Sequence, residues 1–426
     1  MYNLTKKTKV IIIFLPLVFF TLLPSFVYSF DYTDVNFTTV TNFLDSLDYN
    51  YKGFDIKFKS FAVGETFDDN ILYTKNDKQE DFITNINLGV SIKHEGKSNT
   101  FELIGNLYNE IYAKNDNFNS TSEDVGLNFK SELSKNDRIS LNDVFLHTYL
   151  PLFFRDQFIS DQFGRPQDRF SQYKNLFHTE YTHDLTRQLS TSIKYDNELN
   201  LFPSNTVTVS ADPSLNNNIL SDSFLNKATS ETSYLLSSST TISFLYSFLY
   251  EQFAERRRTE NGKDASIHTI APGIKQYITK KMYFIVRPGV DFIDSYDGED
   301  LVKPNIQSSI TYEMDVNTRF LLLYEKRYDT NSYVNDIFNQ WRTSLSFTHQ
   351  LSERFGFSQM LFYGKGEFIS SDTSRQQLLG SKSSFAYDIN KNLKGELAYS
   401  HAESDGETGI AGYSKNTVFI GLTAAF

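Results

Sequence analysis

Tight polar links and long polar links take turns along this chain from residue 54 to its last residue, and that regularity admits few folds. The tight ones are Glu95-Gly96-Lys97-Ser98, Ser134-Lys135-Asn136-Asp137, Asp184-Leu185-Thr186-Arg187, Ser237-Ser238-Ser239, Thr279-Lys280-Lys281, Asp315-Val316-Asn317, Ser352-Glu353-Arg354 and Asn390-Lys391-Asn392. Between them lie longer stretches at 68–81, 113–120, 150–171, 202–223, 255–264, 294–303, 329–340, 369–376 and 403–413. Asn, Asp, Ser and Lys dominate the tight links, as β-hairpins prefer. Eight short links and nine long ones separate 18 segments. A soluble β-solenoid does not alternate its turn lengths in this way. A transmembrane antiparallel β-barrel does, with short turns at one end and long loops at the other. The expected fold is therefore all-β, a barrel of about 18 strands over residues 54–426.

The segments carry two faces at the two-residue period of a strand. Ile242, Phe244, Tyr246, Phe248 and Tyr250 oppose Ser243, Leu245, Ser247 and Glu251. Phe284, Val286, Pro288, Val290 and Phe292 oppose Arg287, Gly289 and Asp291. Phe320, Leu322, Tyr324 and Tyr328 oppose Arg319, Glu325 and Arg327, and Ile193, Tyr195, Leu199 and Leu201 oppose Lys194, Asp196 and Glu198. The composition suits such a wall: 39 Phe and 26 Tyr stand against one Trp, yet mean hydropathy lies below zero. After the N-terminal apolar run, no stretch has the length and apolarity of a spanning helix. Cysteine is absent, which excludes a lipoprotein anchor, disulfides, thiolate metal sites and a Cys nucleophile. A net charge of -11 opposes nucleic-acid binding, which draws its affinity from neutralising phosphates.

Both termini point to an envelope compartment. Lys6, Lys7 and Lys9 precede an apolar run from Val10 to Leu23, and Val27-Tyr28-Ser29 has the look of a cleavage site. Residues 1–29 thus read as a signal peptide, with an uncleaved anchor as the alternative. At the other end Val418, Ile420, Leu422 and Ala424 alternate with Phe419, Gly421, Thr423 and Ala425 up to Phe426. This strand resembles the C-terminal recognition signal of bacterial outer-membrane barrels, with Phe426 as the residue read by the barrel-assembly machinery. The expected location is the outer membrane of a diderm bacterium, in contact with lipid and lipopolysaccharide. Residues 30–53 read as a periplasmic lead-in, either a short helix or partial plug, or a tail.

At residues 61–70 the chain reads Phe-Ala-Val-Gly-Glu-Thr-Phe-Asp-Asp-Asn, followed by Ile71-Leu72-Tyr73-Thr74, and the return strand opens with Asp81-Phe82-Ile83-Thr84. This hairpin resembles the first one of the β-barrel porin 2 family, with Phe67 where that family usually has Tyr. The resemblance covers about 30 residues and implies an outer-membrane barrel, often encoded beside exopolysaccharide export systems. It brings no functional residues with it. Asp68, Asp69 and Asn70 read either as turn-forming Asx residues or as oxygen ligands for a divalent cation.

The remaining chemistry is sparse. The seven histidines show no His-Glu-x-x-His spacing, and there is no Gly-x-Ser-x-Gly elbow. His178 and His183, near Glu180 and Asp184, form the one compact group, a hydrated wall and turn or the core of an outer-membrane hydrolase. The 150–171 loop carries five Phe beside Arg155, Arg165 and Arg169. It either folds inward to constrict the lumen or packs at the rim. The expected lumen-lining residues are Lys194, Asp196, Glu198, Arg287, Asp291, Arg319, Glu325, Arg327 and Arg342. No cofactor, catalytic residue or metal is expected. Function then reads as a hydrophilic pore for exopolysaccharide or other polar solutes, with export components as partners. A closed barrel presenting loops for adhesion is the alternative, and a hydrolase the third reading.

Overall fold

Seven of the eight tight links close on oxygens that their own side chains supply. Asp315 Oδ1 accepts the Asn317 amide at 2.8 Å, and Asn390 Oδ1 accepts the amides of Asn392 and Leu393 at 2.8 and 2.9 Å. Thr186 Oγ1 does the same for Gln188 and Leu189, and Ser352 Oγ for Arg354 and Phe355. These side-chain acceptors satisfy backbone donors that a reversal would otherwise strand. The computed structural model describes residues 49–51, 53–150, 170–203, 222–253, 264–294, 300–331, 336–369, 375–406 and 412–425. The signal peptide, nearly all of the lead-in, the loop with Arg155, Arg165 and Arg169, and Phe426 lie outside the described residues.

The strands are β1 (Tyr49–Tyr51), β2 (Phe54–Asp68), β3 (Asp81–Glu95), β4 (Asn99–Tyr112), β5 (Ser120–Glu132), β6 (Asp137–Leu150), β7 (Phe170–Asp184), β8 (Leu189–Leu201), β9 (Ser223–Ser237) and β10 (Thr240–Phe253). They continue as β11 (Ala265–Thr279), β12 (Met282–Asp294), β13 (Asp300–Glu313), β14 (Thr318–Asn331), β15 (Asp336–Gln350), β16 (Phe355–Phe368), β17 (Arg375–Asp388), β18 (Leu393–Gly406) and β19 (Tyr413–Ala425). Every neighbour from β2 to β19 pairs antiparallel with the next, and β19 returns to β2 with Thr417 opposite Asp68 and Ala425 opposite Ser60. The wall is a closed barrel of 18 long strands, as the link pattern predicts. The short β1 pairs Tyr49 with Ile56 and Tyr51 with Phe54, below the point where β19 ends. It falls within the stretch read from sequence as lead-in.

Register settles the two faces. Ile242, Phe244 and Tyr246 stand opposite Ile274, Pro272 and Ile270; Leu322 stands opposite Ile310 and Leu345. These side chains remain exposed although apolar, as a wall bathed in hydrocarbon requires. The other face carries Lys194, Asp196 and Glu198 on β8, Arg287 and Asp291 on β12, Arg319 and Glu325 on β14, and Arg342 on β15. Among the described residues no helix is long and apolar enough to cross a membrane.

One stretch leaves the wall. The β13–β14 ladder stops at Ile306 opposite Lys326, while β12–β13 runs on to Asp294 opposite Asp300 and β14–β15 to Asn331 opposite Asp336. The freed top of the β14–β15 hairpin leans across the inner wall. There Tyr328 and Ile337 are buried with Ala265, Ile267 and Ile293. Alternation alone put Tyr328 on the outer face beside Phe320 and Leu322. Its burial corrects that placement, because a hairpin that has parted from the neighbouring strand can turn its outer face onto protein.

The register predicts a sharp contrast between neighbours. Leu322→Arg places a charge on the outer face in the middle of the paired part of β14, at a cost of roughly 2–4 kcal/mol, and should reduce the yield of heat-modifiable folded barrel. Leu323→Arg, one residue on and inward, should assemble like the parent protein. Equal yields on a denaturing gel would mean that the faces are misassigned.

Candidate functional site

The Asp68-Asp69-Asn70 sequence sits where the first strand meets the last, and each residue reaches across that seam. Asp69 receives the Asn416 backbone amide on Oδ1 at 2.7 Å and its side-chain amide on Oδ2 at 2.6 Å. Asn70 donates to the carbonyls of Thr74 and Ser414 at 2.7 and 3.0 Å, while its Oδ1 accepts the Thr74 amide. Asp68 Oδ1 accepts the Asn70 amide, and its other oxygen lies 2.6 Å from Lys415 Nζ. That ion pair is 1 % exposed at Asp68 and 8 % at Lys415. The Lys415 ammonium also lies 3.8 Å over the Tyr73 ring. Every oxygen of the triplet thus faces an amide or an ammonium. Among the described residues no acidic or His cluster is arranged for a metal. Of the two readings open from sequence, local hydrogen bonding describes the geometry, with a long-range half that no local pattern revealed.

Lower on the seam, Gly64 and Gly421 stand opposite each other. A Cβ on either would come within 2.5 Å of the Phe419 ring. The two glycines let that ring lie flat against the inner wall across the junction.

The first long loop, residues 69–80, turns inward from this seam. Ile71 packs on Ile83 and Tyr112, beside Leu72 and Phe118. Tyr73, at a φ of 53°, packs with Phe338, Phe362, Phe368, Leu378 and Tyr413. Its ring meets Tyr413 edge-on at 5.1 Å. For the 150–171 loop the sequence left an inward fold and packing at the rim open, and residues 151–169 lie outside the described residues. The 69–80 loop was passed over, although the apolar triplet Ile71-Leu72-Tyr73 in an otherwise polar loop was a usable signal.

The inner wall pairs its charges. On β8, Lys194 lies 3.4 Å from Glu180, Asp196 accepts from His178 at 2.6 Å, and Glu198 lies 2.7 Å from Lys174. Arg287 on β12 reaches past two strands to Glu231 on β9. Gly273 makes this possible, since a Cβ there would meet Arg287 Cγ at 2.8 Å. Arg342 binds Glu325 on the neighbouring strand, and Arg319 stands opposite Glu313. A recess of about 440 Å³ opens among Arg287, Gln307, Leu323, Glu325 and Arg342. Two expected lining residues are drawn into the leaning hairpin. Arg327 Nε lies 2.5 Å from Asp329, and Asp291 accepts from Thr269, Asn305 and the Tyr328 amide.

His178 and His183 do not converge. His178 faces inward to Asp196, whereas His183, five residues on, faces outward to Asp137 at 2.7 Å. The pair therefore forms no single site for hydrolysis.

No family model and no curated protein matches the chain. Among solved structures, the FrpB iron transporter of Neisseria meningitidis (F5-1 variant, apoprotein form) aligns over 82% of this chain at 10% identity and TM-score 0.45. This chain spans 62% of that transporter's length. OccAB3 of Acinetobacter baumannii aligns over 87% of this chain and 98% of its own at 11% identity and TM-score 0.44. OpdL of Pseudomonas aeruginosa aligns over 88% and 99% at 9% identity and TM-score 0.46. The barrel itself is established by the closed hydrogen-bond ladder of this chain.

The seam pair lends itself to a double-mutant cycle. Lys415→Met leaves Asp68 buried without its cation and should cost about 3–5 kcal/mol. Adding Asp68→Asn should recover most of that loss. Urea titration of the heat-modifiable band measures both; additive losses would show that the two side chains act separately.

Proposed function

We propose that this chain is an outer-membrane barrel of a diderm bacterium that conducts hydrophilic solutes. The inner wall of paired charges inside a closed 18-stranded ladder carries this reading. Barrels of 16–18 strands leave an aqueous channel where smaller ones fill with side chains. In this reading the long loops face the cell surface and the tight turns the periplasm. Lys365, Glu367 and Arg375 lie on the outer face at the long-loop end, suited to lipopolysaccharide phosphates and their counter-charges. The signal peptide, its cleavage and recognition of Phe426 by the assembly machinery belong to the same reading. Exopolysaccharide is the cargo, and export components the partners, that the hairpin at 61–84 implies.

The charge pairs make the pore's selectivity adjustable in both senses. Glu231→Gln with Glu325→Gln leaves Arg287 and Arg342 uncompensated and should move the reversal potential towards anion selectivity. Arg287→Gln with Arg342→Gln should move it towards cations. An unscreened unit charge at 4 Å is worth about 1 kcal/mol in water, so each change in permeability ratio should be a few-fold. Planar-bilayer recording under a salt gradient reads both; a parent barrel that never conducts would defeat the proposal.

A second reading, a closed barrel that presents its loops, draws on the inward position of residues 71–73 and of the β14–β15 hairpin. Tyr73→Ala should loosen the first loop and raise single-channel conductance if that loop narrows an open pore. Silence in both proteins would favour the closed barrel.

A further inference from the structure

The outer face is not apolar all the way round. On β10 and β12 it reads Ile242, Phe244, Tyr246 and Phe284, Val286, Val290. On β6 to β9 it holds Asp143, Asn175, Thr179, Asn197, Asn226 and Ser230, of which Asp143, Thr179 and Ser230 fall in the middle part of their strands. Asp143 stands opposite Phe177, and Phe145, Tyr181 and Ile193 on the same face of β6 to β8 are exposed. It is the seventh of the 14 residues of β6, so it falls at mid-depth. The outward carboxylates Glu65 and Glu123 lie instead at the long-loop ends of their strands. Asn175 donates to Asp143 at 2.7 Å, and Asn197 to Asn226 at 3.2 Å. Such an amide does not neutralise a carboxylate in hydrocarbon, where ionisable side chains are costly and mark contacts or pathways.

We infer that the outer face of β6–β9 is an interface with a second copy of this chain. The occupant must itself be a membrane-embedded wall with polar groups at mid-depth. Every copy inserts with the same sidedness, so a second copy presents this patch at the matching height without further specification. Asn, Thr and Ser both donate and accept, so the patch can bond to itself. The small side chains of Thr179, Ala228 and Ser230 allow close approach of two walls, as small residues do between spanning segments. One self-complementary patch on copies of equal sidedness gives a two-fold axis along the membrane normal. Around that axis β6 lies across from β9 of the partner, which sets the Asp143 carboxylate towards the amide and hydroxyl side of the patch. The inference rests on the membrane placement proposed above, and goes beyond it.

The absence of native cysteine makes the test clean. Single variants Thr179→Cys, Asn197→Cys and, on the far side of the barrel, Leu397→Cys are treated in isolated membranes with a short bismaleimide. The two patch variants should give an adduct of twice the chain mass, and Leu397→Cys should not. Asp143→Leu with Asn175→Leu, added to Asn197→Cys, should keep the barrel heat-modifiable and lower the adduct yield at least fivefold. Equal cross-linking at all positions, an adduct of another mass, or an undiminished yield in the double-Leu background would overturn the inference. Labelling of Leu397→Cys by a water-soluble, membrane-impermeant maleimide would overturn it as well, by removing the membrane on which it rests.

Discussion

In hydrocarbon a backbone amide without a partner costs several kcal/mol, so a sheet that crosses a membrane must have no edge. Everything else here depends on how the first strand finds the last. Backbone pairing of β2 with β19 closes the ring, but a ladder alone is indifferent to a two-residue slip. The side chains at the top of the seam remove that indifference. Asp69 takes both donors of Asn416, and Lys415 is buried against Asp68. A shift in either direction would leave a buried cation and a buried carboxylate unpaired. A buried ion pair contributes little net stability, yet breaking one is costly, which suits it to fixing register. The bulge between Phe58 and Ser60 and the short β1 then finish the lower end, where β19 has already stopped.

Closure also explains why the inner wall looks as it does. Once the outer face is given to lipid, charged side chains have one direction left, and inside they meet one another across neighbouring strands. Lys194 with Glu180 and Arg342 with Glu325 are such cross-strand pairs. Arg287 departs from the pattern, spanning to β9 over a residue without a side chain. Pairing of this kind leaves each of these charges with an opposite charge beside it.

The strands were legible in the sequence because their determinants are local. Seven of the eight tight turns are closed by an Asx, Ser or Thr oxygen two or three residues from the amide it accepts, and the wall segments announce their two faces by alternation. Lys194, Arg287, Arg319 and Arg342 could be placed on the inner face on that basis alone. What stayed hidden depends on partners far along the chain. Asp69 and Asn416 are separated by 347 positions, and nothing near either residue signals the other. Tyr328 and Arg327 obey the strand period and stay paired with β15, but their hairpin parts from β13, because the β13–β14 ladder ends at Lys326. His178 and His183 looked like neighbours in sequence, although an odd spacing on a strand sends them to opposite faces of the wall.

The two inward excursions share a physical cause. A long-loop end raises strands beyond the hydrocarbon, where apolar side chains lose the lipid that tolerates them and must find protein instead. Ile71 and Tyr73 find the inner faces of β3–β4 and β15–β19, and Tyr328 and Ile337 find those of β10–β13. Both therefore cover apolar inner surface at the mouth, where Phe338, Phe362 and Ile267 would otherwise face water. Burying that surface is worth roughly 25 cal/mol per Å², a driving force that needs no specific latch. The bond from the Tyr328 amide to Asp291 on β12 adds direction to a contact that burial alone would leave loose. The long-loop end is thus covered by hydrophobic contacts, while the charge pairs Lys194–Glu180 and Arg342–Glu325 lie deeper on the wall.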